Sequence, residues 1–339
     1  MRQMEREAAA DRELLSLFLE HYRQIGQQQA IIEPDAKVVS YAKPPAQPSS
    51  LDPKLFTVLG FTISVTTSAF LAILVDALDR RVRSARQIER HCGLRVLGAI
   101  PLRNSMGGGN GALRYIKTRP HSFYAEALRL VYTGLEFGPS PPQVLQVSSA
   151  LSGEGKTTLV IGLATVAARA GKRVIAVDFD LRHPSLTRAA GVWPTAGLVE
   201  VVTGEARPDQ AIVASEAGFD CIGVLLPSQG LGGLGAIDGQ AALIDQLRRH
   251  YDLVILDTSP VLAVADARIT ARLADGVVMV ARWGQTSLSA VRRTSKLLHE
   301  AGTSVPGVVL SAVDQRRYYL YENEDGFNFY SNLKKYYDN

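Results

Sequence analysis

The chain has 339 residues, a formal net charge of +4 and only two cysteines. Its length exceeds that of most single domains, so we expect one domain of about 200 residues with flanking segments. A hydrophobic fraction of 46% and a charged fraction of 21% exclude wholesale disorder. No basic stripe with interleaved aromatic residues is present, so no nucleic-acid partner is expected. Cys92 and Cys221 lack the spacing of a metal site or a disulfide framework.

The first 54 residues are expected to form a periplasmic stub. Residues 1–30 carry apolar side chains at alternating three- and four-residue steps, which predicts a helix of the coiled-coil type. Five prolines between residues 34 and 53 then predict a stiff, extended stretch.

A membrane-spanning helix is predicted at residues 55–75. This segment carries no charge, and at a rise of ~1.5 Å per residue it extends roughly 30 Å, about the thickness of the hydrocarbon core of a bilayer. Several serine and threonine hydroxyls leave a buried core helix open as the alternative. Five arginines within residues 76–90 favour a cytoplasmic location for everything that follows. The segment lies too deep in the chain for a cleaved signal peptide.

Residues 120–313 have the pattern of an α/β domain, which a basic juxtamembrane linker at 76–119 precedes. Short apolar runs alternate with helical stretches, so we expect a mostly parallel, doubly wound sheet with helices on both faces. The predicted strands lie at 144–147, 174–177, 221–226, 253–256, 277–280 and 305–310. The predicted helices lie at 157–169, 241–250 and 288–301.

A phosphate-binding loop is predicted directly after the first of these strands. The sequence fits G-x-x-x-x-G-K-[ST], except that Ala150 replaces the first glycine. Glycines let backbone amides turn toward phosphate oxygens, and the start of the following helix adds positive potential. Lys156 can reach the β- and γ-phosphates, and the Thr157 hydroxyl suits magnesium. The predicted phosphate-binding residues are Ser152, Gly153, Glu154, Gly155, Lys156, Thr157 and Thr158.

Three carboxylates follow two of the predicted strands. Asp178 and Asp180 come directly after residues 174–177, and Asp257 follows residues 253–256 in the manner of a Walker B segment. The carboxyl ends of parallel strands border the ligand crevice of an open α/β sheet. A single aspartate at this position is often only a turn residue, but three beside a phosphate loop predict a magnesium–nucleotide site.

Residues 314–339 are expected to form a C-terminal tail that contains six of the twelve tyrosines. The tail is otherwise polar and charged, so it offers little core for aromatic rings. Two interpretations remain open: the rings dock on the parent domain or a neighbour, or the phenols are substrates of the nucleotide site. The tail tyrosines are Tyr318, Tyr319, Tyr321, Tyr330, Tyr336 and Tyr337.

These segments together resemble the bacterial tyrosine kinases, in particular the polysaccharide co-polymerases that join a membrane chain-length regulator to a cytoplasmic P-loop kinase. The resemblance rests on the membrane helix, the basic linker with Leu-Gly-Ala-Ile-Pro at 97–101, the three nucleotide segments and the tyrosine tail. It implies an autokinase that transfers the γ-phosphate of ATP to tail tyrosines of neighbouring subunits and regulates exopolysaccharide polymerisation and export. The implied cofactors are ATP and Mg²⁺, and the implied partners are further copies in a ring, the export machinery and a cognate phosphatase.

The resemblance also assigns roles by position. Lys156 and Asp178 would be catalytic, with Asp178 accepting or orienting the proton of the attacking tyrosine. Thr157, Asp180 and Asp257 would organise the magnesium shell. The implied location is the bacterial inner membrane, with one span in this chain and two at full length. The chain is therefore expected to begin late, as a fragment or a late-starting gene model.

Three substitutions bear on how far the resemblance extends and on which alternatives stay open. The family's oligomer motif, E-x-x-R-x-x-R, is represented by Glu126 and Arg129, but Tyr132 replaces its second arginine. Ser311 stands where relatives often present an asparagine to adenine. A partition-type ATPase is an alternative, but such proteins carry a signature lysine where this chain has Leu151. A non-catalytic assembly partner of the export complex is the other alternative.

Overall fold

The computed structural model describes residues 2–29, 40–41, 53–102, 111–225 and 235–318. The chain separates into two units, Met1–Leu74 and Val75–Asn339. The first unit contains helix α1 (Arg2–Gln29) and most of helix α2 (Pro53–Leu78). Both helices were predicted from the sequence.

Helix α2 has the length and composition of a membrane span. Within it, Lys54–Val75 has a mean hydropathy of 2.1, and the side chains there are exposed. A core helix would bury such a surface, whereas a lipid-facing helix presents it outward. The hydroxyls do not oppose this reading, because they bond back to the helix itself: Thr62 donates to the Val58 carbonyl at 2.8 Å, and Thr66 donates to the Thr62 carbonyl.

The second unit is built on one eight-stranded sheet. Its strands are β1 (Val96–Pro101), β2 (Val144–Ser149), β3 (Val174–Asp178), β4 (Ile212–Ala214), β5 (Asp220–Ile222), β6 (Leu253–Asp257), β7 (Gly276–Arg282) and β8 (Gly307–Val313). Their order across the sheet is β1-β8-β7-β2-β6-β3-β5-β4. All neighbouring pairs are parallel except β4 with β5, so the predicted mostly parallel sheet is confirmed.

Helices cover both faces of this sheet. They are α3 (Ala85–Cys92), α4 (Gly111–Thr118), α5 (Phe123–Glu136), α6 (Lys156–Arg169), α7 (Leu186–Ala190), α8 (Leu198–Val202), α9 (Pro208–Ala211), α10 (Gly235–His250), α11 (Asp266–Ala271), α12 (Leu288–Glu300) and α13 (Gln315–Tyr318). Three of them, α6, α10 and α12, correspond to the three helices predicted within the domain.

Side chains of the central strands alternate between two apolar layers. In β6, Ile255 packs with the layer that contains α5 and α6, whereas Val254 and Leu256 pack with the layer on the opposite face. Strand β6 is buried along its whole length. This explains why its residues 253–256 are a continuous apolar run, since strands covered on both faces need no polar side. The P-loop and the strand-end carboxylates are thereby held on a rigid base.

The structure differs from the sequence analysis at the predicted linker, residues 76–119. Strand β1 pairs in parallel with β8, and Ile88 of α3 is fully buried against the same part of the core. The short apolar run therefore completes the sheet edge instead of joining two domains. Because arginines flank this segment, its composition is that of a linker, and the sequence analysis did not predict the strand. The short antiparallel strand β4 was also missed.

Candidate functional site

The loop between β2 and α6 has the backbone of a phosphate-binding loop. Gly153 and Gly155 have φ values of 77° and 95°, a region that residues with a Cβ rarely adopt. Ala150, which replaces the first glycine of the pattern, does not share this requirement. Among the described residues, Ala312 is the single non-glycine with positive φ. The alanine therefore fits the loop without backbone strain.

The side chain of Glu154 points into the protein and is 4% exposed. Its Oε2 accepts a hydrogen bond from the Leu151 amide at 2.9 Å, and its Oε1 accepts one from the Thr286 hydroxyl. Burial raises the pKa of the Glu154 carboxyl, and these hydrogen bonds oppose the rise. Glu154 was predicted to bind phosphate, but its carboxylate is engaged elsewhere. Only its backbone remains for that role.

Asp178 and Asp257 are register partners at the ends of the neighbouring strands β3 and β6. Asp178 is fully buried, and its oxygens accept hydrogen bonds from the amides of Asp180 and Ser185 at 3.1 Å and of Leu186 at 3.0 Å. Burial raises the pKa of Asp178 well above its usual range, and the nearby Asp257 charge adds to this rise. The carboxylate therefore fixes the loop between β3 and α7.

Asp180 lies at the same edge of the sheet and is nearly buried. Its Oδ1 accepts hydrogen bonds from the Ser259 hydroxyl at 2.8 Å and from the His183 amide at 3.2 Å. Ser259 follows β6, so this contact ties the loops after β3 and β6 together. The carboxylates predicted from separate segments are thus brought to one edge of the sheet.

Asp257 carries the clearest mark of a cation site. It is 1% exposed, and neither carboxylate oxygen accepts a hydrogen bond of good geometry from the described residues. Burial raises the pKa of Asp257 to about 6; the nearby Thr157 hydroxyl and Lys156 ammonium oppose this rise, and the Asp180 charge adds to it. Buried polar atoms are normally paired. A magnesium ion, which prefers oxygen ligands, would satisfy these oxygens and offset the like charge.

Thr157 and Lys156 begin helix α6 beside these carboxylates. The Thr157 hydroxyl lies 2.6 Å from the hydroxyl of Ser185, in the loop that Asp178 fixes. Lys156 is buried, so its ammonium is directed into the site instead of bulk water. The structure therefore brings together Lys156, Thr157 and the three predicted carboxylates.

A cavity of about 250 Å³ opens on the other side of the phosphate loop. Its walls combine loop residues with apolar side chains from the ends of β1, β7 and β8. The lining residues are Ile100, Pro101, Leu102, Tyr124, Gly153, Glu154, Gly155, Thr158, Leu159, Val280, Arg282, Val309, Ser311 and Ala312. The Ser311 hydroxyl donates to the Glu154 carbonyl, so this residue contacts the loop itself.

Of the six tail tyrosines, the structure describes only Tyr318. This side chain is 5% exposed and packs in an apolar cluster with Leu310 and Val313 of β8. The expectation that Tyr318 is an accessible phosphate acceptor therefore disagrees with the structure. Tyr318 lies only five residues after the end of β8, and its ring packs into the apolar cluster on that side of the sheet. The remaining candidates, Tyr319, Tyr321, Tyr330, Tyr336 and Tyr337, lie outside the described residues.

The predicted oligomer residues lie on α5. Arg129 forms an ion pair with Glu126 at 2.7 Å and donates to the Pro120 carbonyl at 2.7 Å. The Tyr132 hydroxyl donates to Glu136 at 3.4 Å, within the same helix. These contacts are all internal to one chain, so the role of this helix in assembly stays a prediction.

Sequence reasoning missed two residues that hold the phosphate loop. Arg282 donates to the Gly153 carbonyl at 3.0 Å, and Thr286 bonds Glu154 as described above. Arg282 ends β7 and Thr286 lies in the turn after it. Both are more than a hundred residues from the loop, and no motif marks them. Ser259 belongs to the Walker B segment, so its position after Asp257 was a usable signal.

Comparisons with known proteins agree with this geometry. A family model described as an AAA domain matches residues 143–304. The tyrosine-protein kinase YwqD of Bacillus subtilis (strain 168) is 32% identical over 218 residues, which covers 62% of this chain and 91% of that relative. This chain belongs to the bacterial tyrosine kinase family. The family and the P-loop fold predicted from the sequence are therefore confirmed.

Longer relatives and a solved structure extend the match. The putative tyrosine-protein kinase EpsB of Ralstonia solanacearum is 31% identical over 92% of this chain, and the succinoglycan biosynthesis transport protein ExoP of Rhizobium meliloti (strain 1021) is 29% identical over 97%. The chain spans only 43% and 46% of their respective lengths. The kinase domain of the Escherichia coli tyrosine kinase ETK superposes with a TM-score of 0.64 at 28% identity, covering 69% of this chain and 96% of that domain.

Proposed function

We propose that this protein is a membrane-anchored protein-tyrosine autokinase that transfers the γ-phosphate of ATP to tail tyrosines of neighbouring copies. The observation that carries the proposal is the pair of unsatisfied, buried Asp257 oxygens beside Lys156 and Thr157. That arrangement suits magnesium and phosphate, and several relatives are named tyrosine-protein kinases. The choice of tyrosine as acceptor rests on those relatives and on the composition of the tail.

Nucleotide and metal fit the residues present. Thr157, Asp180 and Asp257 would hold Mg²⁺, which supplies neutralisation of the charge that builds up on the phosphates during transfer. The loop amides and Lys156 would hold the β- and γ-phosphates. The apolar cavity beside Gly155 and Ser311 would take the nucleoside, because aromatic bases bind in clefts lined by apolar side chains with a few polar groups.

The proton-accepting role of Asp178 stays a prediction. Burial raises the pKa of Asp178, and a carboxylate with a raised pKa is a stronger proton acceptor. Its oxygens, however, already accept hydrogen bonds from three loop amides, including those of Ser185 and Leu186. Asp178 would have to release at least one of these amides to bond an incoming phenol.

The membrane helix and its flanks support an inner-membrane location. Helix α2 is exposed and apolar, and five arginines follow within residues 76–90. The positive-inside rule therefore favours a cytoplasmic kinase unit. Because one relative is named a succinoglycan biosynthesis transport protein, we place the kinase in polysaccharide production, where phosphorylation would regulate polymerisation and export.

Further copies of the chain, the export machinery and a tyrosine phosphatase are the proposed partners. Each phosphotyrosine adds about −1.5 to −2 charges at neutral pH. Residues 316–339 contain four basic and four acidic side chains, so even two phosphates would make the tail strongly acidic. We propose that unmodified tails bind neighbouring active sites and that accumulated negative charge releases them.

The test uses the full chain in lipid nanodiscs with ATP and Mg²⁺, followed by mapping of phosphotyrosine. We expect labelled tail peptides in the parent and none in Lys156→Met, because the ammonium that binds the phosphates is lost. Lys117→Met is the matched control: this lysine pairs with Glu216 on the surface, and its loss should leave labelling unchanged.

Other outcomes would assign a different function. ATP hydrolysis without tyrosine labelling would favour a partition-type ATPase. Nucleotide binding with neither activity would favour a non-catalytic assembly partner. Labelling that persists in Lys156→Met would contradict the assignment of the phosphate site.

A further inference from the structure

A short segment before α3 is fastened to the turn that follows β7. We call this segment, residues 80–84, the strap. The Val82 amide donates to the Thr286 carbonyl at 2.8 Å, and the Gly284 amide donates to the Val82 carbonyl at 2.8 Å. These reciprocal hydrogen bonds fix the backbone of the turn against the strap. Val82 itself is fully buried in the adjoining apolar cluster.

A side-chain contact reinforces the same junction. The indole Nε1 of Trp283 donates to the Arg83 carbonyl at 2.7 Å. The Ser84 hydroxyl then caps α3 by accepting from the Gln87 amide. The strap therefore has a defined conformation, and it begins two residues after the membrane helix ends at Leu78.

The opposite side of the turn holds the phosphate loop. The Thr286 hydroxyl accepts a hydrogen bond from the Arg282 amide at 2.8 Å and donates to the Glu154 carboxylate. The other oxygen of Glu154 accepts from the Leu151 amide at 2.9 Å. The buried carboxylate of Glu154, the residue before Gly155, is thus bonded both to Leu151 at the beginning of the loop and to Thr286 in the turn. Its orientation depends on a hydroxyl that the strap helps to place.

We propose that Thr286 and Glu154 are positioning residues through which the strap holds the phosphate loop in its nucleotide-binding conformation. The Glu154 carboxylate and the Thr286 hydroxyl bond each other and the Leu151 amide, so their contribution to phosphate binding is indirect. Loss of the Thr286 hydroxyl would leave the buried Glu154 oxygen without its donor, and the loop would rearrange to solvate it. The proposal rests on the nucleotide-binding role given above.

The direct test compares Thr286→Val with Thr286→Ser in the full chain in nanodiscs. Valine keeps the shape but removes the hydroxyl, whereas serine retains it. We expect the Kd for Mg-ADP to rise about five- to tenfold in the valine variant and to stay within twofold of the parent in the serine variant. Hydrogen exchange at the Leu151 amide should also accelerate in the valine variant alone. An unchanged Kd in Thr286→Val would overturn the proposal.

Thr303→Val is the matched control for loss of a buried hydroxyl. The Thr303 hydroxyl donates to the Ala271 carbonyl at 2.8 Å, and within the part of the chain that the structure describes it bonds no residue of the phosphate loop. This variant should lower the melting temperature and leave the Kd for Mg-ADP unchanged. If it weakens binding as much as Thr286→Val does, the effect reflects general destabilisation and the positioning role is wrong.

The strap itself is tested with Trp283→Phe, which removes the donor to the Arg83 carbonyl. We expect Trp283→Phe to weaken Mg-ADP binding. In the double variant with Thr286→Val, the Kd for Mg-ADP should rise by less than the product of the two single increases, because both substitutions act through one turn. Strictly multiplicative effects, or no effect of Trp283→Phe, would overturn the part assigned to the strap. A parent protein that fails to bind Mg-ADP would instead refute the proposed function.

Discussion

Replacement of Asp257 by asparagine should stabilise the metal-free protein while weakening its response to magnesium and nucleotide. In the structure, this carboxylate is buried next to other acidic groups, and neither of its oxygens accepts a hydrogen bond of good geometry from the described residues. Ionisation of Asp257 is therefore least favourable when no cation is bound, because the carboxylate is buried and the Asp180 charge repels it. Asparagine removes the charge and keeps the shape, so it separates the electrostatic contribution from packing.

The magnitude follows from the pKa of Asp257. Burial raises this pKa to about 6, compared with about 3.9 in an unfolded chain. The folded state therefore binds the proton more tightly, and stability falls as the pH rises from about 4 to about 6 and remains lower above that. The difference corresponds to about 3 kcal/mol at pH 8. An unsatisfied amide offsets part of this, so we expect a net gain of about 1–2 kcal/mol.

The assay is thermal unfolding of the full chain in nanodiscs, in chelator and then with Mg-ADP. A gain of this size raises the melting temperature of Asp257→Asn by roughly 2–8 °C in chelator at pH 8. Near pH 4 the folded carboxyl is protonated, so the gain should be lost and the cost of the unsatisfied amide should leave the variant no more stable than the parent. Asp252→Asn is the control: Arg173 lowers the pKa of this exposed carboxyl to about 2, so its loss should not stabilise the protein. An Asp257→Asn variant no more stable than the parent in chelator would refute the reasoning.

Three further predictions concern packing and the tail. A Cβ on Gly162 would lie 2.6 Å from a Leu128 methyl, so Gly162→Val should lower the free energy of unfolding in urea by about 1–3 kcal/mol. An unchanged midpoint of urea unfolding would contradict the packing of α5 on α6. Tyr318→Ala should lower the free energy of unfolding by about 3–5 kcal/mol in the same assay, because the ring is buried. Phosphotyrosine mapping should find Tyr318 unlabelled; phosphate there would contradict its place in the core.

The nucleotide segments could be predicted because each carries a local pattern. Apolar strands covered on both faces, followed by glycines or carboxylates, indicate both the sheet and its ligand edge. Lys156, Thr157, Asp178, Asp180 and Asp257 accordingly meet where expected. The oligomer helix and most of the tail could be named from the sequence as well, but their roles depend on contacts between chains, which no pattern within one chain determines.

The missed features have no local pattern. Strand β1 is a short apolar run among arginines, and only the open edge of β8 makes it a strand. Glu154 looked like a phosphate ligand because of its place in the loop, yet its direction depends on Thr286, a residue of an ordinary turn. Tyr318 was included among the candidate phosphate acceptors because its neighbours in sequence are polar, whereas its burial fits the alternative that the ring docks on the parent domain. In each case a distant partner decides the outcome, and sequence spacing does not encode that partner.

The nucleotide site is consequently a property of the whole second unit and not of its signature motifs alone. The matched family model covers residues 143–304 and includes the loop, all three carboxylates and Thr286. It omits the strap, which places Thr286, and Ser311, which bonds the loop at the Glu154 carbonyl. Residues on both sides of the motif region therefore hold the loop, and one of these groups begins two residues after helix α2 ends. Because the strap bonds the same turn that orients Glu154, a displacement of the strap would act on the phosphate loop through Thr286 and Glu154.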